Sequence, residues 1–280
     1  MDTGLENKVA VVTGSGRAGG IGQAIATALA GEGAKIVLSD IGRPFEDFPA
    51  YEVAERSDIE RCAKALRGQG SEVEIVFADV AAETDVANLV AKTIDRFGRI
   101  DVMVNNAGIG LGLVPIVELT VDAWRRNLDV MALGTMLGIR EAGKRMIAQG
   151  DGGAIINIAS QAGKTGWPLL GAYCAAKFAI LGLTQVAAKE LGPHGITVNA
   201  VCPGTVETPL LDLKGGLWEA YTKMSGLELD ALKASILPQI PLARFQKPED
   251  VADCVLFLAS KQGRYITGEA VNSTGGQEMH

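Results

Sequence analysis

The chain has 280 residues, 48% of them hydrophobic, with 35 glycines and a formal net charge of −7, which allows a large core and argues against a nucleic-acid surface. It has no run of eighteen apolar residues and no charged leader before an apolar core, so no membrane association is expected and a cytoplasmic location is. Four scattered cysteines (Cys62, Cys174, Cys202, Cys254) and two histidines (His194, His280) suit neither a metal site, a disulfide framework nor a Ser-His-Asp hydrolase.

In chain order, short apolar runs rich in β-branched residues fall at 8–14, 35–40, 73–79, 100–106, 154–160, 196–202 and 270–274. Between them lie helical patterns, first in "GQAIATALAGEG" and then near 58–68, 84–97, 120–148, 172–191 and 248–259. Such alternation predicts an α/β, doubly wound, Rossmann-type parallel sheet of about seven strands with helices on both faces. The absence of a linker or repeat predicts one domain over 1–280.

The first strand leads into "TGSGRAGGIG", Thr13 to Gly22. Glycines after a first strand let the backbone turn tightly and approach a pyrophosphate, which then sits on the helix N-terminus. Gly14, Arg17, Gly20, Ile21 and Gly22 are the residues of this turn expected against a dinucleotide. Asp40 ends the second strand, where a carboxylate accepts ribose hydroxyls and repels a 2′-phosphate, favouring NAD over NADP. Arg17 is the counter-signal, since an arginine there can pair with that phosphate.

In "GAYCAAKFAILGL", Tyr173 and Lys177 stand four apart in an alanine-rich helix, so they share a face. An ammonium beside a phenol favours phenolate, which makes a proton donor and acceptor usable nearer neutral pH. The glycine turn, Asp79 in "FADV", "NNAG" (Asn105 to Gly108), Ser160, "YCAAK" and "NAVCPG" (Asn199 to Gly204) come in an order that resembles the classical short-chain dehydrogenase/reductase family over essentially the whole length.

That resemblance implies Tyr173 as the acid/base at the substrate oxygen and Ser160 as its hydrogen-bonding partner. It implies that Lys177 lowers the phenol pKa and holds the nicotinamide ribose. Asp79 and Val80 would flank the adenine, and Asn106, Ala107 and Gly108 would line the adenosine ribose side. Pro203, Gly204, Val206 and Thr208 would serve the carboxamide end of NAD. Family members are often tetramers, and the small and apolar residues of 120–148 and 172–191 suit a homotetramer interface.

The chain departs from the family in three places. Five residues, not three, separate Gly14 from Gly20. The asparagine usual in the fifth helix, seven residues after an aromatic and three before a glycine, is replaced by Met131, counting from Trp124 and Gly134. Asn127, one helical turn earlier, imitates the motif without occupying its position. Finally, "IGRPFEDFPAYEVAERS" (41–57) inserts about a dozen residues with Phe45, Phe48 and Tyr51; it reads either as a surface loop packing its own aromatics or as a flap over the adenosine end.

The expected activity is hydride transfer between NAD(H) and a secondary alcohol or ketone. Trp167, Leu169, Leu210, Leu211 and Trp218 are candidates for an apolar substrate wall, with 205–240 as a lid. The substrate reads as a small hydroxy compound or polyol, or alternatively as a hydrophobic cyclic or aromatic alcohol. A non-catalytic NAD-binding protein is the rival that Met131 motivates.

Overall fold

Seven strands form one fully parallel sheet in the order β3-β2-β1-β4-β5-β6-β7 in this computed structural model, which describes residues 2–280. The strands are β1 (Val9–Thr13), β2 (Lys35–Asp40), β3 (Val73–Phe77), β4 (Val102–Asn105), β5 (Gly153–Ile158), β6 (Ile196–Pro203) and β7 (Ala270–Ser273). Strands β1 and β4 have every residue buried, as a sheet covered on both faces requires. The order reverses between β1 and β4, and that switch point opens a crevice beyond the carboxyl ends of the strands.

Helices α1 (Ile21–Gly31), α2 (Arg56–Gly68) and α9 (Pro248–Ala259) cover one face through Ile25, Leu29, Ile59, Leu66, Val251 and Val255. The other face is covered by α3 (Glu83–Phe97), α5 (Gly134–Gln149) and α6 (Gly171–Leu191), whose Leu89, Ile139, Met146 and Ala187 meet Val11, Met103, Ile155 and Val198. The expected helix at 120–148 is continuous but not uniform. Between α4 (Val121–Asn127) and α5 the turn Leu128–Leu133 is π-helical. Such turns admit one extra residue into an α-helix and recur at functional sites.

A chain of buried side chains ties the α5 and α6 layer to the sheet. Asn105 Nδ2 donates to Asn157 Oδ1 at 2.8 Å, Asn157 Nδ2 donates to Thr184 Oγ1 at 2.9 Å, and Thr184 Oγ1 donates to the Ile180 carbonyl at 2.8 Å. Gly138 lets α5 approach this chain, because a Cβ there would meet Asn105 Oδ1 at 1.9 Å.

The segment 205–240 is itself folded, holding α7 (Leu217–Ser225) and α8 (Leu229–Ile236) around a small core of Trp218, Leu232, Ile240 and Phe245. Among the described residues, the stretch Gly171–His194 has the length and hydropathy to cross a membrane. Within the fold it is the core helix α6, whose Ala187 and Ala188 pack against β6.

Candidate active site

The first turn after β1 is held from across the switch point. Asn106 Nδ2 donates to the carbonyls of Thr13 (2.8 Å) and Gly14 (3.0 Å), while Thr13 Oγ1 accepts the amides of Asn106 and Ala107. Gly14 has φ +64° and lies so close to Ala107 that a Cβ would meet its Cα at 2.6 Å, so both conformation and space require glycine. Helix α1 then begins at Gly20 with no capping side chain and no acidic residue in its first turn. An uncapped N-terminus facing a cleft fits a pyrophosphate, and the donor set around it fits a dinucleotide.

All the residues assigned above to the cofactor, from Gly14 to Thr208, line one cleft along the carboxyl edge of the sheet. Asp40 stands in it with Oδ2 accepting the Gly16 amide at 2.8 Å and Oδ1 accepting the Ile41 amide at 2.8 Å. Burial pushes its carboxyl above the usual range, against the pull of those two amides and of Arg17. Arg17 donates from Nη2 to the Glu52 carbonyl at 2.6 Å, which ties one of its nitrogens to segment 41–57.

Ser160 follows β5, and Tyr173 and Lys177 lie on the first turns of α6. The Ser160 hydroxyl favours the ionised form of the Tyr173 phenol and accepts the Ala162 amide at 3.1 Å. Lys177 is 3% exposed, donates from Nζ to the Ile158 carbonyl at 2.7 Å, and sits 5.4 Å from the Tyr173 ring centroid. Met131, fully buried in the π-helical turn, comes to the same place: a Cβ on Gly108 would be 3.8 Å from both Met131 Sδ and Lys177 Nζ. Asn127 turns elsewhere, donating to the carbonyls of Leu111 (2.9 Å) and Ala123 (2.7 Å), and so braces the loop after β4.

A cavity of about 730 Å³ adjoins the cleft, and Ser160 and Tyr173 stand on the border, lining both. Trp167, Leu210, Leu211 and Trp218 line the cavity, and Leu210 and Leu211 also reach the cleft. Leu169 lines neither. Its backbone is left-handed (φ +67°), and the chain reverses there so that Leu170, 8% exposed, faces inward instead.

The segment 41–57 packs its own Phe45 and Tyr51 together and also reaches both the cleft and the cavity. Phe45, Tyr51, Val53 and Ala54 line the cleft, while Asp47, Phe48, Pro49, Ala50 and Tyr51 line the cavity. Asp47 is held by a two-pronged ion pair with Arg126 (2.9 and 2.6 Å), whose guanidinium lies 5.0 Å from the Phe45 ring centroid. Tyr51 packs 5.8 Å from Phe45 and accepts the Gly110 amide at 3.3 Å. Arg56 closes the far end, donating to the Gly42 carbonyl at 3.0 Å and stacking 4.2 Å from the Phe77 ring centroid. The aromatics were visible in the sequence; their destination depends on Arg126 and Gly110, far along the chain.

The electrostatics correct one expectation. The Tyr173 phenol is not lowered but pushed up to about 12, because burial outweighs the opposing pull of the Ser160 hydroxyl. The Lys177 ammonium is instead driven down to about 8 by burial. Its contact with the tyrosine is to the ring, and its proton points at the Ile158 carbonyl. Below about pH 8 the native state carries the cost of a buried charge, about 3 kcal/mol for a shift from 10.5 to about 8. Between about pH 8 and 10.5 the unfolded chain keeps that proton and the native chain does not, so this penalty is relieved as pH rises. The stability gap between Lys177→Met and wild type, read by urea unfolding, is therefore expected to shift in favour of wild type from pH 7 to pH 10. A gap independent of pH would contradict it.

The family model described as enoyl-(acyl carrier protein) reductase matches residues 14–278. A short-chain dehydrogenase/reductase of Armillaria gallica is 40% identical over 97% of this chain and 96% of its own length. Galactitol 2-dehydrogenase of Agrobacterium fabrum is 38% identical over 98% of this chain and 99% of its own. The crystal structure of levodione reductase superimposes with a TM-score of 0.85 at 30% identity, covering 97% of this chain and 98% of that one. With the parallel sheet, the pinned glycine turn and the Ser160, Tyr173 and Lys177 cluster, these matches make the chain a member of the short-chain dehydrogenase/reductase family.

Proposed function

We propose that this protein is an NAD-dependent dehydrogenase/reductase that interconverts a secondary alcohol and its ketone. The observation that carries this is the position of Ser160 and Tyr173 on the border between the dinucleotide-shaped cleft and the separate cavity, with Lys177 behind them in the cleft. NAD, when bound, supplies the hydride acceptor or donor. The side chains manage the oxygen. Ser160 donates a hydrogen bond that holds it, and the Tyr173 phenol gives it a proton in reduction and takes one in oxidation. A phenol pushed up to about 12 stands protonated at neutral pH, the form that reduction uses. Lys177 holds the ribose hydroxyls, and its hydrogen bond to Ile158 keeps it in place. Tyr173→Phe is expected to remove more than nine-tenths of turnover while NAD affinity stays within a few fold, since only the phenol oxygen is lost. A catalytically active Tyr173→Phe would sink the assignment. Absence of turnover in the wild type with a panel of secondary alcohols would favour the binding-only reading instead.

NAD rather than NADP is supported by Asp40, whose carboxylate stands in the cleft against the Gly16 and Ile41 amides. Asp40→Ala is expected to raise the NADP-to-NAD ratio of kcat/KM by about tenfold or more, measured by cofactor reduction at a fixed alcohol concentration. A wild type that already prefers NADP would overturn this.

A homotetramer is supported by the apolar side chains left exposed on and before α4 and on α5 and α6: Ile116, Val117, Val121, Ile147, Phe178 and Val186. Light scattering at micromolar concentration is expected to give a tetramer mass, and a monomer would refute it. The four cysteines are free, which agrees with action in a reducing cytoplasm.

A further inference from the structure

The inserted segment and the cavity together bear on the substrate. The cavity, about 730 Å³, is of the size that takes a drug-sized ligand. Its walls are chiefly aliphatic and aromatic, with Phe48, Trp167, Leu213, Leu217, Trp218 and Tyr221 prominent. Charge among the lining residues is carried by Asp47 and Lys214, and Asp47 is already paired with Arg126. Polar side chains of the lining are largely engaged within the protein: Ser235 donates to the Leu232 carbonyl, Gln239 to the Ser235 carbonyl, Tyr221 to the Pro168 carbonyl and Thr205 to Gln277, while the buried Gln161 Oε1 and Trp167 Nε1 lack partners. A polyhydroxylated chain would desolvate many hydroxyls here against few partners, whereas an apolar ring system fills the walls and leaves one oxygen for Ser160 and Tyr173.

One wall of this cavity is not built by the strand ends or by 205–240. The stretch from Asp47 to Tyr51 supplies it, with Phe48 presenting a partly buried ring. The stretch is fixed at both its ends: Asp47 to Arg126 on α4, and Tyr51 to the Gly110 amide. A side chain held on such anchors can exert shape selection, because it does not simply swing aside.

We propose that the inserted segment 41–57 is a substrate-recognition element, and that with Phe48 it makes the cavity a receptor for a bulky, apolar, ring-containing secondary alcohol or ketone. This rests on the dehydrogenase reading above. The test measures kcat/KM of the full chain with NAD for two probes, decalol as a fused-ring secondary alcohol and butanediol as a small hydroxy compound. Wild type is expected to prefer decalol by at least about tenfold. Phe48→Ala is expected to cut that preference by about tenfold, mostly through a higher KM for decalol. A wild type that prefers butanediol, or a Phe48→Ala variant that changes both probes by the same factor, overturns the proposal. If Phe48→Ala does not fold by circular dichroism, Phe48→Leu is read in the same way, with an expected drop of about threefold. If neither probe is turned over, the dehydrogenase reading fails on its own. Calorimetric titration of decalol into the NAD-loaded protein then still decides the cavity: binding weakened by the Phe48 variant supports the proposal, and no binding overturns it.

Discussion

The bond from Lys177 Nζ to the Ile158 carbonyl, 2.7 Å long and shut away from water, is the constraint on which the site depends. It crosses from the start of α6 to the last residue of β5. In doing so it sets the helix that carries Tyr173 against the strand end that carries Ser160. Carbonyl and ammonium are strong partners in a dry site, but the charge remains costly there, as its lowered pKa shows. The protein therefore spends stability at this point for geometry, and recovers it in the apolar layers of α5, α6 and the sheet. The Asn105–Asn157–Thr184 chain performs a similar task deeper down with uncharged groups, fixing the same helix to the same strand without that electrostatic cost.

The inserted segment shows how a surface element acquires a place in such a site. Its aromatic side chains alone do not fix where it goes. Arg126 supplies two things at once, an ion pair to Asp47 and a flat cation against Phe45, and it does so from α4, the helix that runs into the π-helical turn. Arg17 and Arg56 hold carbonyls of the segment from the glycine turn and from the start of α2. Three guanidiniums thus pin the segment at its polar positions, while Phe45, with Ile41, Phe48, Tyr51 and Val53 around it, packs into the core beneath the site. The guanidiniums also link the segment to both halves of the sheet, across the switch point.

Much of this was legible in the sequence because it depends on local pattern. Buried parallel strands announce themselves as short β-branched runs, and six of the expected helices fall within a few residues of their observed limits. Tyr173 and Lys177 share a helical face by spacing alone, and Asp40 ends a strand by position alone. Other features depend on burial or on partners distant in sequence. The direction of the Tyr173 shift follows from how dry the site is, which spacing does not encode. Leu169 looked like a wall residue because it is apolar and near Trp167, yet its left-handed backbone gives that place to Leu170. Helices α7 and α8 lack that signature because their apolar residues serve a local cluster around Trp218 instead of the main sheet.

The π-helical turn at Leu128–Leu133 constrains how this chain can change length over evolution. A π turn is an α-helix with one residue to spare, and here the spare residue lies between Asn127, which braces a loop, and Gly138, which makes room for Asn105. Deleting one residue from the turn would leave a regular helix but rotate everything after it by about 100°. Gly138 would leave Asn105, and a side chain would arrive where only a hydrogen atom fits. Length changes are therefore expected to be tolerated in the loops around this helix, while the helix itself is closed to them.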